Sequence, residues 1–317
     1  MRLHSRIKQV ALTRVRVLAS PIIRFVENLL WAHRTREIHQ PVFIVGAPRT
    51  GSTILYQALT NAYNVAYVDN VACAWCRNLR FGMWLSNKKY GKRPHNNFNA
   101  DLGNTDKFGG HAPSECGGFW YRWLPRDKHF IDHSEVSNKM ISGIRSEILG
   151  ITSHFNMPMI VKNLNAGQRL RLITRVFPHA KIIFVRRDPR FVTQSILNAR
   201  KKAGVRPHQW WSIMPVNVES LLRLPEQEMC AAQIYYLEKQ IEEDLMLFPA
   251  ENVREVHYQE LNETLIEELG HWIGAVSRSE CELPVFHKDK LERISVPHLE
   301  QLDRLVRKYP FKKELFV

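Results

Sequence analysis

The chain has 317 residues, 44% of them hydrophobic, which is enough apolar mass for a full core; 24% charged residues with only 15 Gly and 16 Pro exclude a disordered, collagen-like or coiled-coil chain. Its 45 Lys and Arg against 31 Asp and Glu leave a formal charge of +14. That sign favours polyanionic company, whether nucleic acid, anionic headgroups, sulfated or phosphorylated glycans or a multiply phosphorylated cofactor, without choosing among them.

In chain order, residues 1–40 come first, with eight Lys/Arg and two Glu. Short apolar runs such as Val15–Ile23 are interrupted by Arg16, and Arg6, Lys8, Arg14 and Arg16 fall where a signal peptide needs an uninterrupted apolar segment, so neither a spanning helix nor a signal peptide is expected. The pattern predicts a basic amphipathic helical arm with Val10, Leu12, Val17, Leu18, Ile22, Val26, Leu29 and Leu30 available for an apolar face. Such an arm could make peripheral contact with an anionic membrane or pack on its own domain, and the pattern leaves both open. From Pro41 onward strand and helix signals alternate. Strands are expected at Pro41–Val45, Asn64–Val68 (weak), Met159–Val161, Lys181–Val185 and Arg254–His257. Helices are expected at Ser52–Thr60, Ala166–Val176, Arg190–Lys202, Glu226–Leu247 and Leu265–Val276. This order predicts an α/β domain over 41–317, a parallel β-sheet covered by helices on both faces. Residues 87–125, rich in Gly, Asn and aromatics, fit neither period and read as a substrate-side insertion. Five scattered cysteines (Cys73, Cys76, Cys116, Cys230, Cys281) suit a reducing, cytoplasmic compartment better than a disulfide framework. Cys73 and Cys76 lack a second pair at zinc spacing and read as two helix cysteines.

The segment with most chemistry is the first strand and its loop, Phe43-Ile44-Val45-Gly46-Ala47-Pro48-Arg49-Thr50-Gly51-Ser52-Thr53. Laid on the phosphate-loop pattern G-x-x-x-x-G-K-[ST], it supplies Gly46, Gly51 and Thr53 but places Ser52 at the lysine position. The lysine that meets a triphosphate is absent, and the cation has moved back to Arg49. Backbone N–H groups from Thr50 to Thr53, opening a helix, would still cradle a tetrahedral oxyanion. A second segment runs from the strand Lys181–Val185 into Arg186, Arg187, Asp188, Pro189 and Arg190, then a helix carrying Ser195. Guanidinium groups are thereby brought to the carboxyl end of a parallel sheet, where ligands bind. Arg187 and Ser195 could grip one phosphate from two sides.

Together the two segments resemble the PAPS-dependent sulfotransferase family. There a G-x-P-[RK]-[ST]-G-[ST]-T loop holds the 5′-phosphosulfate and an R-[DN]-P-[RK]-x-x-x-x-S segment holds the 3′-phosphate. Gly46 to Thr53 match the first motif, and Arg187-Asp188-Pro189-Arg190 with Ser195 match the second. The resemblance implies a P-loop nucleotide-hydrolase-like three-layer sandwich, PAPS bound by Arg49, Thr50, Gly51, Ser52, Thr53, Arg187 and Ser195, and no metal requirement. It implies transfer of a sulfuryl group to a hydroxyl acceptor, with no specific nucleic acid as partner. Arg49 in place of a loop lysine, and the missing late G-x-x-G-x-x-K element, point to a glycan, lipid or peptide hydroxyl rather than a phenol or steroid. Lys162, ending its strand, is similar in position to a family lysine that reaches the sulfuryl group.

Transfer to an alcohol also needs a base. Asp69, after the weak second strand, is expected in that role, or else as a helix N-cap. His111 and Glu115, in a Gly-flanked loop, are the rivals. Trp120, Tyr121, Trp123, Trp210 and Trp211 could line an acceptor cleft or fill the core, residues 206–209 suggest a surface lid, and Glu238–Glu243 read as a solvated helix face. Two other functions fit less of the pattern: a P-loop nucleotide kinase or hydrolase, disfavoured by Ser52, and a non-enzymatic polyanion-binding protein, whose affinity would follow salt steeply.

Overall fold

Alternation along the first strand explains the layers. In the computed structural model, which describes residues 2–31, 38–291 and 296–317, strand β1 (Val42–Val45) is buried on both faces. Phe43 and Val45 join one core, and Val42 and Ile44 join another. Strand residues of period two therefore feed two separate hydrophobic clusters, as a sheet covered on both sides requires.

Preceding it, helix α1 spans Arg2–Trp31. After β1 come α2 (Ser52–Ala62), β2 (Tyr63–Asn64), α3 (Asn70–Cys73), α4 (Leu79–Tyr90), α5 (Gly117–Trp120) and α6 (Asn138–Phe155). The chain continues through β3 (Ile160–Lys162), α7 (Leu170–Val176), β4 (Lys181–Arg186), α8 (Pro189–Lys202), α9 (Val218–Leu221) and α10 (Glu226–Leu245). It ends with β5 (Val253–His257), α11 (Glu263–Ile273), β6 (Val276–Ser277) and α12 (Val296–Val306). The main sheet has the order β3-β1-β4-β5, with every neighbouring pair parallel. Side chains of α6 and α7 pack on the Phe43 and Val45 face, while α2 and α11 pack on the Val42 and Ile44 face. The fold is thus α/β, a parallel sheet between two helical layers.

Four details depart from the expected pattern. The weak strand at 64–68 does not join the sheet as a fifth member: Tyr63 and Asn64 pair antiparallel with β6, and only Ala66 makes a parallel bridge to Met159. The chain is diverted because Val68 gives its carbonyl to Ser114 N–H (2.7 Å) and Asp69 begins a helix. The helix expected through Val276 stops at Ile273, since Gly274 takes the left-handed conformation (φ 78°) that ends helices. Of the helix expected at 166–176, the first part is a 3₁₀ segment, Leu164–Arg169. Finally, Glu238 is not on a solvated face. It is buried, and Arg186 Nη2 on β4 donates to it at 2.9 Å.

The expected insertion at 87–125 begins as the last turn of α4 and then runs irregularly to α5. The predicted arm is helical across α1; Met1, residues 32–37 and the side chains of residues 2–10, Val10 among them, and of Trp31 lie outside the described residues. Among the described residues no helix is long and apolar enough to cross a membrane.

Candidate active site

The phosphate-type loop is shaped by two close approaches. A Cβ on Gly46 would meet the Val185 carbonyl oxygen at 2.5 Å, so only glycine lets β1 leave the sheet beside β4. Gly51 sits at φ 95°, and a Cβ there would meet the Tyr258 ring at 2.4 Å. Between them Arg49 holds φ 69°, an uncommon conformation for a side-chain-bearing residue. Its neighbours hold it there: Arg187 Nη1 donates to the Arg49 carbonyl (3.0 Å), and Arg49 Nε donates to Ser195 Oγ (3.0 Å). In α2 the first intrahelical bond within reach of the loop runs from Leu55 N–H to Gly51 O, so the N–H groups of Ser52, Thr53 and Ile54 precede the helical ladder. All three residues line the cleft above the loop, together with Arg49, Gln57, Phe98, Lys162, Arg187, Trp211 and Tyr258.

The two expected anion-binding segments are therefore tied to each other directly. Thr50 is the exception within its motif: it is fully buried and its hydroxyl donates to Ala47 O (3.0 Å), bracing the loop from beneath. Of the arginines in the second segment only Arg187 lines the cleft. Arg186 is buried against Glu238, Glu242 and Glu255, and Arg190 closes on Asp188, which also caps α8 through Arg190 N–H (2.9 Å). Arg187 itself is bidentate to Asp289 (Nε at 2.7 Å, Nη2 at 2.5 Å) and lies over the Tyr258 ring at 4.4 Å. Burial, and then the like charge of Arg187, hold the Arg49 guanidinium below its ordinary value. Two cations facing each other in a half-buried cleft are a setting that an anion would relieve.

A second cleft adjoins the first. Leu102, Gly103, Leu164 and Ser212 line both, and the second is further lined by Glu115, Tyr121, His129, Asn163 and Asn165. The boundary between them carries an ion pair: Lys162 Nζ donates to Glu115 Oε1 and, at 3.0 Å, to Thr53 Oγ1. Leu164 N–H donates to Glu115 Oε2 (3.0 Å), fixing the carboxylate in place. Lys162 is only 2% exposed, whereas the Glu115 side chain keeps 26% exposure toward the second cleft.

Asp69 and His111, expected near the reacting hydroxyl, line neither cleft. Asp69 has both oxygens engaged, accepting from Ala72 N–H (2.8 Å) and from Ser86 Oγ (2.5 Å), so it is the N-cap of α3. Burial raises its carboxyl to about 6. His111 is stacked on Tyr90 (centroids 4.2 Å apart), and burial followed by Arg278 lowers it to about 4. Of the aromatic residues, Tyr121 and Trp211 line the clefts, while Trp120 is buried against Phe43. Two residues at the site escaped the sequence reading. Tyr258 had a signal, since it follows β5 at the same sheet edge as Arg187. Asp289 had none, being 102 positions from the arginine it grips.

A parallel sheet flanked by helices, with a glycine-containing loop opening α2 and an arginine loop opening α8 beside one cleft, defines an α/β protein of P-loop-like fold. The model of the sulfotransferase family matches residues 41–271, and the chain belongs to that family. Among solved structures it is similar to the sulfotransferase STF1 from Mycobacterium tuberculosis H37Rv, at 10% identity and a TM-score of 0.51, covering 97% of this chain and 87% of that one. It also aligns with the sulfotransferase STF9 from Mycobacterium avium (12% identity, TM-score 0.48, 87% of this chain and 70% of that one). A sulfotransferase domain from the curacin biosynthetic pathway aligns at 14% identity (TM-score 0.42, 87% and 95%). A comparison with curated protein sequences found no match.

Proposed function

We propose that this chain transfers the sulfuryl group of PAPS to a hydroxyl of a glycan, lipid or peptide acceptor, releasing PAP and a sulfate ester. The observation that carries this reading is the coupling of the two anion-binding segments, Arg49 Nε to Ser195 Oγ and Arg187 Nη1 to Arg49 O, above one cleft. Two donor-bearing segments at one cleft suit a ligand with phosphate at both ends. The 5′-phosphosulfate end would lie with the N–H groups of Ser52 and Thr53, with Arg49 and with Lys162, and the 3′-phosphate with Arg187 and Ser195. PAPS supplies the activated sulfur.

The chain supplies the rest. Lys162 and Arg49 offset the charge that grows on the oxygens around sulfur, from positions buried or half-buried in the cleft wall. Glu115 faces the adjoining cleft, and as its lysine partner turns toward the sulfuryl oxygens it becomes free to take the acceptor proton. As the acceptor oxygen bonds to sulfur, the bond from sulfur to the 5′-phosphate oxygen breaks, and the proton ends on Glu115. The test is transfer of radiolabelled sulfate from PAPS to a panel of glycans, glycolipids and peptides. Label in any ester product supports the reading. Protein that binds PAP yet labels nothing in the panel would remove the acceptor class, and protein that does not bind PAP would remove the whole proposal.

A further inference from the structure

Helix α1 is docked the wrong way round for a helix that serves only its own domain. Its buried face is polar. Ser20 and Glu27 are 7% and 3% exposed, with Asn78 Nδ2 donating to Ser20 O (3.1 Å) and Phe81 N–H donating to Glu27 Oε1 (2.8 Å). Arg16 lies over the Trp75 ring at 5.4 Å, and Arg24 Nη2 donates to Arg77 O at 2.8 Å. The opposite face is apolar and open. Leu18, Ile22, Phe25 and Leu29 are 78%, 71%, 66% and 66% exposed. Their spacing of four, three and four residues puts them in one row along the helix, about 180° from Glu27. Val15 and Val26 widen that row. Single exposed leucines are ordinary on a protein surface, but a contiguous row of this kind marks a place where something apolar sits.

We propose that α1 lies flat on an anionic lipid surface, with Leu18, Ile22, Phe25 and Leu29 entering the acyl boundary and arginines meeting the headgroups. The charge pattern selects this occupant. The sequence of the helix carries Arg2, Arg6, Lys8 and Arg14 besides Arg16 and Arg24, which contact the domain, and its one acid, Glu27, is buried, so the exposed face has no negative group. Exposed Arg14 stands at the shoulder of the apolar row. A second copy of α1 would bring more positive charge to a chain already at +14, whereas a layer of anionic headgroups complements it. The arm also precedes the residues that match the family model. It is too polar to span the bilayer, which leaves the interface plane.

The test is flotation of the full chain with vesicles of phosphatidylcholine, with or without phosphatidylglycerol, beside sedimentation equilibrium without lipid. The protein is expected to float with the phosphatidylglycerol vesicles only, and less so as salt rises. The double variant Phe25→Ser with Leu29→Ser should lose about tenfold in partitioning per side chain while keeping the melting temperature of the parent, because both side chains face water in the free protein. Absence of binding to either vesicle, or undiminished binding by the double variant, overturns the proposal. So does a lipid-free dimer that the double variant dissociates, since the row would then belong to a second copy.

Discussion

At the scale of single residues the proposed function divides the cleft into groups that bind and groups that react, and substitution should separate them. In the proposed function Arg187 meets the 3′-phosphate and not the 5′ end, and charge-assisted hydrogen bonds of this kind are each worth about 1.5–3 kcal/mol. Arg187→Ala is therefore expected to weaken PAP binding about 10- to 100-fold by calorimetry, while AMP, which lacks the 3′-phosphate, binds both forms alike. Equal losses for the two nucleotides would take the 3′-phosphate away from Arg187. The carboxylates divide in the same manner. Glu115→Gln should lower kcat by about 10²–10⁴ with PAP affinity kept, the range expected when a positioned proton acceptor is lost. Asp69→Asn should retain turnover and instead change the pH dependence of stability. Burial raises the Asp69 carboxyl from 3.8 to about 6, so the folded state binds its proton more tightly than the unfolded chain does. Stability attributable to Asp69 then falls as pH rises from 3.8 to about 6, and the full cost, about 3 kcal/mol, is present above that window. Asparagine caps helices equally well and carries no charge, so the variant's melting temperature should vary less across that window than the parent's. A variant that folds and binds PAP but is inactive would return the base role to Asp69.

At the scale of elements, the loop between β1 and α2 depends on Gly51 lying under Tyr258. Gly51→Ala combines a strained φ of 95° with a Cβ 2.4 Å from the ring, and the ring in turn supports Arg187. This one methyl group is expected to lower the melting temperature and to abolish stabilisation by PAP in the same scan, since linkage gives no shift without binding. Normal PAP stabilisation of Gly51→Ala would mean that Tyr258 yields freely and does not set the loop. The same elements show what the sequence could reveal. Phe43 to Thr53 and Lys181 to Ser195 were legible because each is a continuous piece of chain, a buried run followed by a loop and a helix start whose chemistry is local. Segment 64–68 was not, since its apolar residues fit a strand while its carbonyls are claimed by partners as distant as Ser114. Glu238 looked solvated because its partner Arg186 lies 52 positions away on β4. Asp69 satisfied both the cap and the base pattern, and Ser86, a helix away, holds its second oxygen. Local chemistry was readable, and pairing across the fold was not.

At the scale of the whole molecule, the residues matched to the family end at 271, yet the second anion-binding segment is braced by chain beyond that point. Asp289 takes one edge of Arg187. Val317 N–H donates to Asp188 Oδ2 (3.1 Å), and Arg190 Nη2 donates to Val317 O (3.0 Å). Phe311 packs on the cluster of Ala47, Val192 and Ile196 that joins the first loop to α8, and Leu315 is 4% exposed. The last residues thus pack against the start of α8. Removing 310–317 would expose two large apolar contacts, about 1.5–3 kcal/mol each, and take Val317 away from Asp188 and Arg190, leaving Arg190 with Asp188 and Asp303. The truncated chain is expected to melt several degrees lower and to bind PAP several-fold more weakly, with AMP binding little changed, because the disturbance falls on the Arg187 and Ser195 side. The single change Phe311→Ala gives the same test where the truncation fails to fold. Lower stability with PAP affinity intact in both would show that Asp289 and Tyr258 are sufficient to hold Arg187, and that the terminal residues brace the domain without shaping its ligand site.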